Sequence, residues 1–177
     1  MSVFLGTHQN RLDAKGRVSV PAGFRNALRE RAARQQGIAI DDVPGPVQIV
    51  LRPSHKHPCI EAWPPAAFAS LASPLDQLDM FSEDHDDLAA AIYADAYPID
   101  ADKEGRIMLP EILSAHAGLI DSVAFMGLGH IFQIWEPKAA EARRNEARVR
   151  ARAVSLPGAR AGGAGQSSRD QSSRDQS

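Results

Sequence analysis

Apolar and polar positions along this chain follow two periods in turn, an alternation of two that suits strands and a spacing of three to four that suits helices. Val18 and Val20 alternate with Ser19, which predicts a short strand with one face inward. Pro21 then suits the first turn of a helix, where no backbone donor is needed. Phe24, Ala27, Leu28 and Ala32 recur at helical spacing and predict a helix from Pro21 to about Arg34. After a loop over 35–46, Val47, Ile49 and Leu51 alternate as a strand, with Cys59 to Trp63 as its hairpin partner. Between Pro64 and Tyr93, Phe68, Leu71, Leu75, Leu78, Phe81, Leu88 and Ile92 stand at loosely helical spacing among many acids. They predict two or three helices whose apolar residues serve the core or a subunit interface.

The same order then repeats. Near Ala96 a second series begins, with Ile107 and Leu109 alternating around Met108, a helix from about Pro110 to Ala117, and Gly118 as its stop. Val123 to Met126 and His130 to Trp135 flank Gly127-Leu-Gly129 as a hairpin, so that Phe132-Gln-Ile-Trp-Glu-Pro137 echoes Cys59-Ile-Glu-Ala-Trp-Pro64. The clearest duplication is Leu12-Asp-Ala-Lys-Gly-Arg-Val-Ser-Val-Pro21 against Ala101-Asp-Lys-Glu-Gly-Arg-Ile-Met-Leu-Pro110. Asp13, Gly16, Arg17 and Pro21 match Asp102, Gly105, Arg106 and Pro110 at a constant offset of 89 residues. A repeat this long implies two homologous modules, and two modules that begin and end alike suggest a pseudo-twofold pairing into one domain.

Each copy reads as strand, tight turn, strand, helix. Gly16 or Gly105 supplies the positive φ of the turn, and the preceding Asp hydrogen-bonds backbone two residues on. The Arg after the Gly is open to two readings. It is a structural partner of the motif Asp within the turn, a common surface pairing, or it presents its charge outward to a ligand. Its repetition favours the outward reading.

The formal net charge of −2 conceals segregation. Residues 1–60 carry nine Lys and Arg against four Asp and Glu, residues 61–102 carry ten acids and no base, and residues 138–177 carry nine bases against four acids. Arg11, Lys15, Arg17, Arg25 and Arg29 cluster around the first turn and its helix, the footprint that phosphate binding needs. Arg29, Arg31 and Arg34 fit a solvated helix face. In the second copy Glu104 replaces the counterpart of Lys15 and Ser114 that of Arg25, so Arg106 is expected to contribute less to nucleic-acid binding. The segment to about Val154, with Arg143, Arg144, Arg148, Arg150 and Arg152, reads as an exposed basic helix, and the Gly-, Ala-, Ser- and Gln-rich tail as disordered.

Other chemistry is poorly supported. His55, His57 and Cys59 form His-x-His-x-Cys, but a closed zinc site takes four ligands at other spacings. No nucleophile elbow, phosphate loop or dinucleotide fingerprint occurs, so neither an enzyme nor a cofactor is expected, and no small-molecule substrate. A single Cys suits a reducing compartment, and neither a signal peptide nor an apolar run of membrane length is evident. A cytoplasmic location follows, with no membrane partner.

Together, Phe4-Leu-Gly6, Leu12 to Pro21, His57-Pro-Cys59, Asp102-Lys-Glu-Gly-Arg106 and His116-Ala-Gly-Leu119 resemble the MraZ transcriptional regulators, within the wider AbrB-like group, over roughly residues 1–140. The resemblance implies an α+β fold in which two AbrB-like modules interleave their hairpins into a pseudo-twofold swapped-hairpin barrel. It divides the chain into module 1 (7–67), an acidic helical linker (68–95), module 2 (96–139), a basic helix (140–155) and a disordered tail (156–177). It also implies a nucleoid-associated repressor of a bacterial cell-division and cell-wall operon, a ring-like homo-oligomer on repeated double-stranded DNA sites. In that reading Arg17 meets a guanine edge or phosphate, Lys15 and Arg11 neutralise phosphates, and Asp13 and Gly16 aim them. Asp102, Gly105 and Arg106 are the second set. The alternative is a protein-interaction module of antitoxin type.

Overall fold

The computed structural model describes residues 2–156. The disorder expected of the tail therefore falls, beyond Leu156, outside the described residues.

The expected strands form as β2 (Arg17–Ser19), β3 (Gln48–Pro53), β4 (Ile60–Trp63), β6 (Arg106–Met108), β7 (Ser122–Gly127) and β8 (Phe132–Trp135), and the strand read ahead of each turn without bounds is β1 (Thr7–Arg11) in the first copy and β5 (Tyr97–Asp100) in the second. The helices are α1 (Ala22–Gln36), α2 (Pro65–Ala72), α3 (Glu83–Tyr93), α4 (Glu111–His116) and α5 (Pro137–Ala151). Helix α1 runs two residues past the expected Arg34 and stops where Gly37 turns left-handed, its N–H returning to the Ala33 carbonyl. Ser82 caps α3 by accepting from His85 N at 3.2 Å.

The pairing departs from two local hairpins. β1 pairs with β7 and β5 with β3, while β2 pairs with β6. Within the first copy a single bridge, Leu12 to Val18, links the two sides of the turn. Three-residue strands are too short to hold a hairpin of their own, and crossing to the other copy places Val18, Val20, Ile107 and Leu109 together in the core. The large sheet has the order β1-β7-β8-β4-β3-β5, which reverses into itself when the two copies are exchanged. The predicted pseudo-twofold pairing is thus visible in the strand order. A closed barrel is not. β1 and β5 are edges of a six-stranded sheet, and β2 with β6 forms a separate two-stranded one.

One principal core lies beneath both sheets and draws on both copies. Phe4, Phe24, Phe125 and Phe132 are its centre, with Phe4 and Phe24 each 5.0 Å from Phe132 between ring centroids. Arg31, expected on a solvated face, instead lies over the Phe4 ring at 5.0 Å and donates to the carbonyls of Ser2, Gly129 and His130. It ties α1 to the chain start and to the β7–β8 turn. Of the apolar residues from α2 to the start of β5, Leu75 is buried and Phe68 packs edge-on to Tyr93, but Leu78, Met80, Phe81 and Leu88 are exposed.

Candidate nucleic-acid interface

Both turns are built by one carboxylate. Asp13 Oδ1 accepts from Lys15 N at 2.9 Å and Arg17 N at 2.8 Å, while Oδ2 accepts from Arg17 Nε at 2.8 Å. Asp102 does the same for Glu104 N at 3.0 Å, Arg106 N at 2.8 Å and Arg106 Nε at 2.8 Å. Gly16 and Gly105 share φ of 78°, the left-handed conformation that lets the chain reverse over the carboxylate. These donors favour the ionised form, so the carboxyls of Asp13 and Asp102 are held below their ordinary value. The backbone N–H of the motif Arg is the largest cause in each case.

The pairing of the motif Arg with its Asp, the first of the two readings, is present in both turns. The Asp takes Nε and fixes the guanidinium plane, while the terminal nitrogens of Arg17 stay outside that contact. About a third of the Arg17 side chain is exposed (33%). Arg106 is alike, with an added long contact from Nη2 to Glu104 Oε2 at 3.4 Å. The Asp102 hydrogen bond, then its charge, raises the pKa of Arg106 further, and Asp13 contributes from the other turn.

The crossed pairing brings the turns together. Val20 N donates to the Gly105 carbonyl at 3.0 Å and Leu109 N to the Gly16 carbonyl at 2.8 Å. In the β2–β6 ladder Arg17 faces Met108 and Ser19 faces Arg106, with Val18 and Ile107 buried on the opposite side. Arg17 and Arg106 are consequently diagonal neighbours on the outer face, about 7–8 Å apart at Cα for such a pair. Lys15 and Arg11 are exposed beside the first turn.

The second turn is less acidic than its own residues suggest. Arg25 of α1 reaches across to donate Nη1 to the Glu104 carbonyl at 3.3 Å, and its side chain covers Gly105 so closely that a Cβ there would collide with it. Lys103, which stands where the first copy has Ala14, is exposed on the same turn. A cleft of about 730 Å³ beside it is lined by Arg25, Arg29 and Lys103 among others. Sequence reasoning assigned Arg25 to the first turn and overlooked Lys103. The 89-residue register exposes Lys103 at once, but only the crossed pairing reveals where Arg25 acts.

The His-x-His-x-Cys triad does not converge. His55 Nε2 meets the Ala91 carbonyl at 3.1 Å, the His57 ring leans on Trp135 at 5.7 Å, and Cys59 is buried with its thiol pushed up to about 12, chiefly by burial. Among the described residues no helix is long and apolar enough to cross a membrane.

A single-chain fold of two interleaved copies, each presenting an Asp-anchored Arg on one shared face, defines the class to which this chain belongs. The family described as "MraZ protein, putative antitoxin-like" matches residues 3–90 and 92–150. A protein of Gluconacetobacter diazotrophicus is 68% identical over 165 residues, 92% of this chain and 98% of the relative. One of Gluconobacter oxydans is 63% identical over 155 residues, 88% of each chain. One of Xanthobacter autotrophicus is 38% identical over 152 residues, 86% of this chain and 88% of the relative. All three are named transcriptional regulator MraZ. The chain belongs to the MraZ family.

Proposed function

We propose that this protein is a sequence-specific DNA-binding transcriptional regulator that reads promoter DNA with its two Asp-x-x-Gly-Arg turns. The observation that carries the reading is the placement of Arg17 and Arg106 side by side, each held through Nε by its own Asp. A guanidinium fixed in this way loses little freedom when its outer nitrogens engage a guanine edge or a phosphate, and a good bidentate base contact discriminates by about 1–3 kcal/mol. Lys15, Arg11 and Arg25 neutralise phosphates around that pair, with Asp13, Gly16, Asp102 and Gly105 holding the turns in shape. The acidic linker of residues 68–95 repels the duplex and so orients the approach.

One pair of turns is a small surface for tight binding. A ring-like homo-oligomer on repeated short sites converts weak contacts into strong ones by effective concentration. In this reading the protein represses a bacterial cell-division and cell-wall operon, in the cytoplasm and associated with the nucleoid.

Fluorescence anisotropy tests this on duplex from upstream of the protein's own operon and on a scrambled duplex, at two salt concentrations. Selective binding that weakens with salt and is lost in Arg17→Ala, with the fold intact, is the expected result. Equal affinity for both duplexes reduces the role to backbone binding. No binding at low salt favours a second reading, a protein-interaction module, for which the exposed Met80 and Phe81 in the acidic segment are the supporting observation.

A further inference from the structure

Helix α5 lays a stripe of small residues toward the large sheet, with Ala140 almost fully buried against β7 and β8. Ala140, Arg144 and Ala147 follow one another at helical spacing along that stripe, so an arginine occupies a position where packing calls for an apolar side chain. Its Nε is buried with no hydrogen-bond partner, the only such side-chain nitrogen or oxygen among the described residues. A buried donor left unpaired costs about 1–3 kcal/mol, so its retention calls for an explanation.

Arg144 lines a cavity of about 320 Å³ between α5 and the sheet, together with Arg143, Arg148, His57 and Gln133. No Asp or Glu lines it. Gln133 is buried, and its Oε1 already accepts from Trp135 Nε1 at 3.0 Å, so its amide nitrogen remains as a donor for a guest. Arg143 and Arg148 have weak partners on their own helix, Glu146 at 4.0 Å and Asn145 at 3.4 Å. Thr7, Met126 and Leu128 add a less polar wall. The volume lies at the small end of the range of ligand pockets, about 300–1,000 Å³.

We infer that this pocket is a binding site for a small organic anion carrying a phosphate-like or carboxylate group, which pairs with Arg144 and the flanking arginines. The group would satisfy the orphaned Nε with a charge-assisted hydrogen bond, and the apolar wall would hold a compact body behind it. The site is separate from the turns. Thr7 lines it at one end of β1, whereas Arg11, at the other end, leads into the first turn, about 13 Å farther along at the rise of a strand.

The test is calorimetric titration of the full-length protein with phenyl phosphate, an anionic head on a compact apolar body, at constant ionic strength. Three variants accompany it: Arg144→Met, Arg148→Met as a second probe of the same pocket, and Arg17→Ala at the turns. Saturable binding that weakens at least about tenfold in Arg144→Met or Arg148→Met, and is unchanged in Arg17→Ala, supports the site. Methionine keeps the helix packing and removes the orphaned donor, so Arg144→Met should melt no lower than the parent. Absence of saturable binding in the parent overturns the inference. Binding lost in Arg17→Ala but kept in both pocket variants also overturns it, by assigning the anion to the turns. Self-association that fails in Arg144→Met, without phenyl phosphate binding in the parent, overturns it in favour of a carboxylate from a second copy. DNA affinity enters none of these readouts, so the inference and the proposed function fail separately.

Discussion

Arg25 Nη1 donates to the carbonyl of Glu104 at 3.3 Å, so a cation carried by the helix of the first repeat serves the turn of the second. By the 89-residue register the reciprocal position is Ser114, which cannot return the favour to the first turn. The two turns therefore gain their positive charge differently, from Lys15 and Arg11 in one case and from Lys103 and Arg25 in the other. Arg25→Ala should weaken DNA binding about tenfold and lower the slope of log affinity against log salt by about one, while Arg25→Lys restores the slope. Anisotropy across a salt series measures both. An unchanged slope in the alanine variant would confine Arg25 to a packing role.

Restoring the missing symmetry is the complementary experiment. Ser114→Arg should place a guanidinium over Gly16, since the crossed strands relate α4 to the first turn as α1 to the second. DNA affinity at low salt is expected to rise by several-fold, roughly one added phosphate contact. If affinity does not move, the register is a poor guide to where that side chain lands.

The glycines of the turns should respond unequally to substitution. Both have φ of 78°, which costs an L side chain about 1–2 kcal/mol. At Gly16 a Cβ meets little beyond the Leu109 carbonyl at 3.4 Å, but at Gly105 it meets the Arg25 side chain. Gly105→Ala is expected to lose more stability than Gly16→Ala in urea denaturation. Equal losses would show that Arg25 leaves its place without cost.

Acid should spare the turns longer than an ordinary carboxylate would. The folded pKa of Asp13 lies below 3.8, so its contribution to stability is complete above that unfolded value and disappears as pH falls through the folded one. NMR titration of the Asp13 carboxyl should find its midpoint below 3.8, and Asp102 should follow it. A midpoint at or above that value would mean that the Asp13 carboxylate does not accept from Lys15 N, Arg17 N and Arg17 Nε.

How much of this was legible beforehand depends on whether an interaction is local. The turn chemistry of Asp13 and Gly16 was readable because donor and acceptor lie within four residues, and the inward set Val18, Val20, Ile107 and Leu109 because a strand alternates. Strand partners were not, since self-similarity between two segments does not say whether each pairs with itself or with the other. That ambiguity hid the role of Arg25; interleaving came from the family resemblance alone, and in place of the barrel it implied stand an open six-stranded sheet and a two-stranded one. Arg31 and Arg144 looked alike on paper, basic residues on helices. One is consumed by carbonyls of Ser2, Gly129 and His130, and the other is aimed at a cavity, because of what the sheet places opposite them.

Phe24 is where the helix of the first repeat enters the shared core. Its ring lies 5.3 Å from Phe4, 5.0 Å from Phe132 and 6.4 Å from Phe125. Phe24→Ala leaves a cavity among three rings and should cost about 3–5 kcal/mol, a large share of a typical total of about 5–15. The urea midpoint should drop with little change in slope. A loss under about 1 kcal/mol would mean that the rings close over the gap.

Cys59 supplies a readout of the same fold through its reactivity. Burial pushes its thiol up to about 12 from an ordinary 9.0, so at neutral pH the folded protein holds almost no thiolate, the form that attacks disulfide reagents. Reaction with a coloured aromatic disulfide should be very slow in the native state and rapid once urea unfolds the chain. The sign of the linked stability follows from the raised value. Below about 9 neither state ionises the thiol and stability is fully present. As pH rises from there toward about 12 the unfolded chain loses the proton first, and stability falls by roughly 1.4 kcal/mol per pH unit from this group. Cys59→Ala should remove that part of the alkaline slope, measured as the difference between two urea series at pH 8 and about 10. A native thiol that reacts within seconds at neutral pH would show that the segment leading into β4 opens readily, and would contradict the buried place of Cys59 between the sheet and α5.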